Sequence, residues 1–291
     1  MNTACNSVNI PGNQKLLDIV GTGGDGADTI NISTASAVLA AACGCIVAKA
    51  GNRSVSSACG SADVLEALGI KVNLTPKQVE KCVEECQIAF MFAPVNHPSM
   101  ANVAPIRKSL GVRSAFNILG PMTNAAAADR AVIGVFQKDL APLMADTLAE
   151  VGRVNHCVVI HGVGLDEISP LGPSTIIELK NVAKEGQERK YERKEYEFDP
   201  LSVGIPRCVI SDLKGGSPKE NALEFIDVLK GGTHQNAKRD SIILNAGVGC
   251  YVYGVEGVTS IAEGVALARS VLESGKASTV FENWKTASNK V

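Results

Sequence analysis

Short apolar runs that end in glycine or polar loops alternate with longer Ala- and Leu-rich stretches along most of the chain. Residues 15–20 are mostly apolar and empty into GTGGDG, which predicts a strand delivering a glycine-rich loop. From Thr29 the text becomes TINISTASAVLAAACG, read as a buried helix stopped by Gly44. Residues 46–50 read as a second strand and 51–60 as a polar loop, after which Ser61 is the expected N-cap of a short helix closed by Gly69. Thr75-Pro76 opens a further helix, and residues 88–92 form another apolar strand. Then come a strand at 131–136, a helix at 139–151 and a strand at 156–160 that runs into HGVGLDE. This alternation predicts an α/β fold with a largely parallel central sheet flanked by helices. Residues 175–198 break the rhythm with strand-like runs around KNVAKEGQERK, read as a solvated hairpin tip. Three helical segments, at 218–229, 241–251 and 260–272, are expected to close the chain.

Of the 291 residues, 45% are hydrophobic and 20% charged, which allows a sizeable core and excludes a mainly disordered chain. The 28 Lys and Arg nearly balance the 30 Asp and Glu, so the net charge of −2 draws in neither nucleic acid nor anionic lipid. With aromatics at 4%, platforms for stacking bases would be hard to build. The longest apolar stretch, 35–48, is interrupted by Ser36 and Gly44 and falls short of the ~20 residues of a membrane span. Residues 1–14 contain no Arg and neither the basic nor the apolar segment of a signal peptide. The nine Cys show no C-x-x-C pair and no His at zinc spacing, and Cys82 and Cys86, one helical turn apart, read as small core residues. The expectation is a soluble protein of a reducing compartment, cytoplasmic, or of a plastid stroma had a transit peptide been removed.

Gly21, Gly23 and Gly26 satisfy G-x-G-x-x-G between a strand and a helix, a geometry that lets backbone N–H groups approach a phosphate. A dinucleotide site would also want an acidic residue ~20 positions on. No Asp or Glu lies between Asp28 and Asp63, and no Gly-Lys-Ser/Thr follows for a Walker loop. Asp25 inside the loop narrows the ligand further, because a carboxylate beside a phosphate is repulsive unless a cation or a ribose hydroxyl lies between them. Asn31, Ser33 and Thr34 put short polar groups into the first turn of the next helix, as caps or facing the same anion. A second cluster, KAGNRSVSSACGS, gathers Lys49, Asn52, Arg53 and four serines at a strand exit, where ligands bind in open α/β sheets. Both cations are expected to point at the strand ends. Asp166 and Glu167 follow another strand exit and read either as a solvated acidic loop or as ligands for Mg²⁺. In NHPSMANVAPIRKSLG, His97 is a helix cap or a site residue, and Arg107 a surface charge or a site residue. His156, His161 and His234 show no ligand spacing and read as structural.

Taken in order, these motifs resemble the anthranilate phosphoribosyltransferase family. The matching text is GTGGDG (21–26), NIST (31–34), KAGNRSVSSACGSADVLEALG (49–69), FAPVNHPSM (92–100), RKSLGVRSAFNILGPMTN (107–124) and GLDEISPLGP (164–173), and it runs from about Leu17 to the last helix. The resemblance implies a nucleoside-phosphorylase-like fold. Residues 15–291 would form the α/β phosphoribosyltransferase domain (glycosyltransferase family 3-like), and residues 1–14 a linker or remnant of the small helical domain that the family carries before its first strand. It also implies Mg²⁺-dependent transfer of phosphoribose from 5-phosphoribosyl diphosphate (PRPP) to the amine of anthranilate, with release of pyrophosphate, in tryptophan biosynthesis. Carried over by motif, Gly21, Gly24, Asp25, Thr29, Asn31, Ser33 and Thr34 would hold PRPP from one side. Lys49, Asn52, Arg53, Ser54, Ser56, Ser57 and Ser61 would hold it from the other. Gly21, Asn52, His97 and Arg107 would face anthranilate, and Ser33, Asp166 and Glu167 would ligate Mg²⁺. The family is a homodimer that makes its contact through the N-terminal helices, whereas only residues 1–14 precede Lys15 here.

Two positions depart from the family. Ala50 stands where it carries His on the anthranilate side, and Ala125 where it carries Pro, a change in loop rigidity. Two other functions compete. A pyrimidine-nucleoside phosphorylase shares the fold but would want a Lys-His-Ser entry to its phosphate loop. A non-catalytic nucleic-acid-binding relative should have lost Asp25, the Asn-x-Ser-Thr run or the acidic pair, and should show a basic face. The expected partners are small molecules, with neither nucleic acid nor membrane among them.

Overall fold

The computed structural model describes residues 5–12, 14–54, 57–103, 116–184, 186–231 and 236–291. Among the described residues there are seven strands: β1 (Leu17–Gly21), β2 (Val47–Gly51), β3 (Ile88–Phe92), β4 (Arg130–Gly134), β5 (His156–His161), β6 (Ser174–Asn181) and β7 (Tyr191–Phe198). They form one sheet in the order β3-β2-β1-β4-β5-β6-β7. The first five run parallel, and β6 and β7 complete the sheet as an antiparallel hairpin. The described residues of the connection between β6 and β7 are mostly exposed, as the run KNVAKEGQERK predicts.

Alternate residues on the strands enter two separate cores, as the period of two requires. On β4 and β5, Val132, Val158 and Ile160 join the larger core. Ala131, Ile133, Cys157 and Val159 join the smaller one, covered by Met144 and Leu148 of a single helix. Eight helices matter here: α1 (Ile32–Ala42), α2 (Ser61–Ala67), α3 (Pro76–Cys86), α4 (Leu140–Val151), α5 (Pro218–Leu229), α6 (Ala237–Tyr253), α7 (Ile261–Glu273) and α8 (Lys276–Lys290). Helix α4 covers the smaller core. Helix α1 is buried almost all round, packed on β1, α6 and α8, which is why its text is nearly continuous Ala, Val and Leu. All nine cysteines are free thiols. Among the described residues, no helix is long and apolar enough to cross a membrane.

Two expectations about helix ends and number are corrected. Ser61 is the first helical residue of α2 and Gly60 is its N-cap. A Cβ at Gly60 would lie 2.2 Å from the Ser54 nitrogen, so the loop closes where no side chain fits. The chain also closes with four helices instead of three. In α8, Ala277, Phe281, Trp284 and Ala287 share one buried face at helical spacing within an otherwise polar text. The segment before β1 is bonded to the domain: Asn6 N–H donates to the Asn96 carbonyl at 2.8 Å and Val8 N–H to the Ala125 carbonyl at 3.0 Å.

Where the sheet turns antiparallel, Glu178 of β6 is buried. It pairs with His156 Nε2 at 2.7 Å and accepts from the Tyr251 hydroxyl at 2.7 Å and the Tyr196 hydroxyl at 3.2 Å. Burial alone would raise this carboxyl, but the hydrogen bonds from His156, Tyr251 and Tyr196 outweigh it and hold the group at about 2, against an ordinary 4.5. A carboxyl depressed on folding adds stability above its unfolded value, and that stability is lost as pH falls through the folded value. Glu178→Gln should therefore be less stable than the parent by on the order of 3 kcal/mol near neutral pH. The gap should close between about pH 4.5 and about pH 2. Urea unfolding of both proteins across that range checks it.

Candidate active site

The carboxyl ends of the parallel strands share one edge of the sheet, the place where open α/β proteins bind ligands. Beyond β1, Gly23, Gly24 and Gly26 have φ of 67°, 81° and 74°. Nothing would crowd a Cβ at these positions, so backbone conformation, not space, demands glycine. Within the loop, Asp25 Oδ1 accepts from Ala27 N–H at 3.1 Å. Its far end is tied down by Ile30 N–H to the Leu213 carbonyl at 3.0 Å, Gly215 N–H to the Asp28 carbonyl at 2.8 Å, and a bridge between Thr29 and Lys214. Asn31 is the N-cap of α1, yet its side chain joins other segments instead of capping. Nδ2 donates to the Cys59 carbonyl at 3.0 Å, and Oδ1 accepts from Asn221 Nδ2 of α5 at 3.1 Å.

Asp166 and Glu167 fold back across these strand ends because glycines leave the room. A Cβ on Gly21 would meet Asp166 Oδ2 at 2.1 Å, one on Gly134 the Asp166 carbonyl oxygen at 1.6 Å, and one on Gly162 the Glu167 carbonyl oxygen at 1.8 Å. The Asp166 carboxylate accepts from Gly23 N–H at 2.6 Å. Glu167 accepts at 3.2 Å from Ser33 N–H in the first turn of α1, where the helix dipole favours an anion. Burial pushes Asp166 up to about 7, and the adjacent Asp25 carboxyl adds to the shift. Burial and then Asp166 push Glu167 up to about 8.

The Asp166 and Glu167 carboxyls with the Ser33 hydroxyl thus offer hard oxygen donors of the kind Mg²⁺ prefers, and a divalent cation would relieve the repulsion that raises the acids. Among the described residues, no three acidic, His or Cys side chains converge closely enough to hold a metal by themselves.

Beneath the acids lies Lys49 of β2, 1% exposed. Its Nζ donates to the Ile19 carbonyl at 2.6 Å and to Ser33 Oγ at 3.3 Å. Burial lowers its pKa, while Asp18, Glu167 and Asp166 oppose the shift. Asp18, inside β1, is pushed up by burial to about 6 against the pull of Lys49 and of the Asn124 amide. Asn124 Nδ2 donates to Asp18 Oδ2 at 2.7 Å and to the Ala48 carbonyl at 2.9 Å, while Ala50 N–H donates to Asp18 Oδ1 at 3.1 Å. Asp18 therefore ties β1 to β2 under the site. Motif reasoning passes over it, although a lone carboxylate inside the apolar text LLDIVG is a signal.

The second loop divides its residues. Thr34 Oγ1 donates to Ser61 Oγ at 3.0 Å, joining α1 to α2. Ser54 Oγ donates to the Ser57 carbonyl and lies 2.8 Å from the Ser57 hydroxyl, and Asn52 Oδ1 accepts from Arg53 N–H at 2.8 Å. Arg53 does not join Lys49 at the strand ends. Its guanidinium forks onto Glu66 at 2.6 and 2.7 Å, reaches Asp63 at 3.2 Å and covers the Phe92 ring. Two carboxylates three residues apart on α2 offer a bidentate partner that bare strand ends lack. His97 is half-buried and caps the one-turn helix Ala93–Asn96, with its N–H on the Ala93 carbonyl at 2.8 Å. Burial lowers its imidazole below the usual range. Ser56 and Arg107 lie outside the described residues.

Residues 13–278 match the family model described as the glycosyl transferase family, a/b domain. An anthranilate phosphoribosyltransferase of Methanosarcina mazei is 48% identical over 272 residues, covering 94% of this chain and 70% of its own. The crystal structure of the anthranilate phosphoribosyltransferase from Thermus thermophilus is 42% identical, with a TM-score of 0.88 over 99% of this chain and 82% of its own. The Saccharomyces cerevisiae enzyme in complex with PRPP and Mg is 30% identical, again with a TM-score of 0.88, over 99% of this chain and 77% of its own. Agreement of sequence and fold over nearly the whole length shows that the chain belongs to the anthranilate phosphoribosyltransferase family.

Proposed function

We propose that this chain transfers phosphoribose from PRPP to the amine of anthranilate, giving N-(5-phosphoribosyl)anthranilate and pyrophosphate, with Mg²⁺ as cofactor and residues 15–291 as the catalytic domain. The observation that carries the proposal is the meeting of the glycine loop, the N-terminus of α1 and the Asp166-Glu167 pair at one set of strand ends. An aniline-type nitrogen is a usable nucleophile without deprotonation, so the site needs no strong base. The barrier lies in parting the sugar carbon from pyrophosphate, and bound Mg²⁺ supplies charge stabilisation to that leaving group.

The chain's own residues position and screen. Gly21, Gly24, Asp25, Thr29, Asn31, Ser33 and Thr34 are assigned to one side of PRPP. Lys49, Asn52, Ser54, Ser56, Ser57 and Ser61 are assigned to the other. Arg53 belongs to this set only if it exchanges Glu66 for a phosphate. Ser33, Asp166 and Glu167 are assigned to the cation, and Gly21, Asn52, His97 and Arg107 to anthranilate. Holding two substrates in line can supply about 7–11 kcal/mol of the barrier. The homodimer of the family is part of the proposal, and sedimentation velocity on the chain tests it.

Removing the cation assigned to the anthranilate carboxylate should weaken that substrate alone. Arg107→Ala should raise the KM for anthranilate about 10–100-fold, the worth of a charge-assisted hydrogen bond, with the KM for PRPP within about twofold. Initial rates with each substrate varied decide this, and an equal rise in both constants removes Arg107 from the acceptor side. The reaction itself is tested by mass spectrometry: anthranilate lost and phosphoribosyl adduct gained should match pyrophosphate one to one. Pyrophosphate formed without adduct would mean hydrolysis of the donor and would defeat the proposal.

A further inference from the structure

The Asp166-Glu167 segment is held from two sides. Glycines at the strand ends admit it on one. On the other stands Asn245, in the interior of α6 and 1% exposed. Its Oδ1 accepts from Ile168 N–H at 3.2 Å and its Nδ2 donates to the Ile168 carbonyl at 2.8 Å. A second Nδ2 hydrogen goes to the Ser241 carbonyl at 2.8 Å. One carboxamide thus satisfies both backbone groups of the residue beside Glu167, as a neighbouring strand would, and both of its own hydrogens are used.

Asn disfavours a helix interior and is tolerated in a core only with its partners in place. Helical economy does not explain it here, whereas its bonds across to another segment do. Holding the Ile168 N–H fixes the peptide plane that joins it to Glu167, and holding its carbonyl fixes the plane beyond, so Ile168 is pinned on both sides. A turn of the first plane would swing the Glu167 side chain off Ser33 N–H and, one residue on, the Asp166 side chain off Gly23 N–H.

We infer that Asn245 is a positioning residue for the acidic pair: by holding Ile168 through both its N–H and its carbonyl, it presets Asp166 and Glu167 for the divalent cation that accompanies the diphosphate. The inference rests on the proposed function, in which that pair serves the cation. A purely structural Asn245 would lower stability and leave cation-dependent binding untouched.

The test uses the full chain and Mn²⁺–pyrophosphate as probe, followed by water-proton relaxation without anthranilate, so that nothing turns over. Asn245→Leu, similar in size but without the amide, should raise the Kd of Mn²⁺–pyrophosphate about 10–100-fold, the range for loss of an outer partner of a metal ligand. Binding of metal-free pyrophosphate, measured by calorimetry with chelator, should stay within about twofold, as should the KM for anthranilate. Ile243→Val, a core change in the same helix, is the control for lost stability and should leave the Mn²⁺–pyrophosphate Kd unchanged. If Asn245→Leu loses the parent's near-ultraviolet circular dichroism, Asn245→Ser carries the same comparison, since its hydroxyl can still serve Ser241 but cannot span Ile168. An unchanged Kd in the folded variant, or an equal loss in Ile243→Val, overturns the inference. A parent chain that shows no metal-dependent binding overturns the cation's place in the proposed function instead.

Discussion

Asp166→Asn combined with Glu167→Gln is expected to lower kcat/KM about 10²–10³-fold, the scale on which removal of a preorganised electrostatic group acts, while Tm rises. The two effects share one cause. Both carboxyls are raised on folding, to about 7 and about 8 from 3.8 and 4.5, chiefly by burial and next by carboxylate neighbours. A carboxyl raised on folding favours the native state while protonated and burdens it as pH climbs through the folded value. Near pH 8 the metal-free protein therefore carries repulsion that neutral amides of the same shape remove. The burden is useful only if a cation is meant to sit there, a stability–activity trade-off at one pair of residues. Rates at saturating Mg²⁺ and thermal melts in chelator test both halves. A double variant that keeps activity within about threefold of the parent would take the pair out of the site.

Lys49→Met should show the opposite combination, loss of stability together with loss of rate. Nζ lies buried between the Ile19 carbonyl and Ser33 Oγ, within the field of Asp18, Asp166 and Glu167. Removing one partner from a buried charge cluster costs on the order of 3–5 kcal/mol, because the opposite charge remains uncompensated. The rate should fall about 10²-fold or more, since the buried positive charge beneath the acids and Ser33 is gone. Lys49→Arg should not rescue it, as a planar guanidinium cannot occupy the place of a compact ammonium. Lys49→Met with Asp18→Asn should recover part of that stability and no activity: Asp18 pulls on Lys49 from beneath the site, while its two oxygens accept from Ala50 N–H and Asn124 Nδ2, which an amide can match only in part. Urea unfolding and steady-state rates on the parent, Lys49→Met, Asp18→Asn and the double variant give the cycle. Recovery of rate along with stability would show that Lys49 is a structural counter-ion alone.

Much of this is legible in the text where the signal is local. Strand β3, IAFMF, is buried at every position, and a short apolar run between Gln87 and Pro94 marks it. The glycine loop is legible because three positive φ values in four residues can be met without strain only by glycine. Thr75-Pro76 with Gln78 likewise announces α3, and Thr75 N–H does donate to Gln78 Oε1 at 2.9 Å. Helix α8 escapes because its buried face holds only two large apolar residues, Phe281 and Trp284, flanked by Ala277 and Ala287, a pattern too sparse to stand out from KASTVFENWKTASNK. Arg53 is misread for a different reason. Glu66, its partner, lies 13 residues away, and only the folded position of α2 decides whether the guanidinium turns to that carboxylate or to the strand ends. Asn245 acts on Ile168 across 77 residues, a relation carried by no local spacing.

Anthranilate fluorescence followed over time, with the chain, PRPP and Mg²⁺, tests the central claim most directly. The account predicts that fluorescence is lost when all are present, and that leaving out PRPP, Mg²⁺ or the chain abolishes the loss. Steady fluorescence from a folded chain that binds PRPP by calorimetry would contradict it.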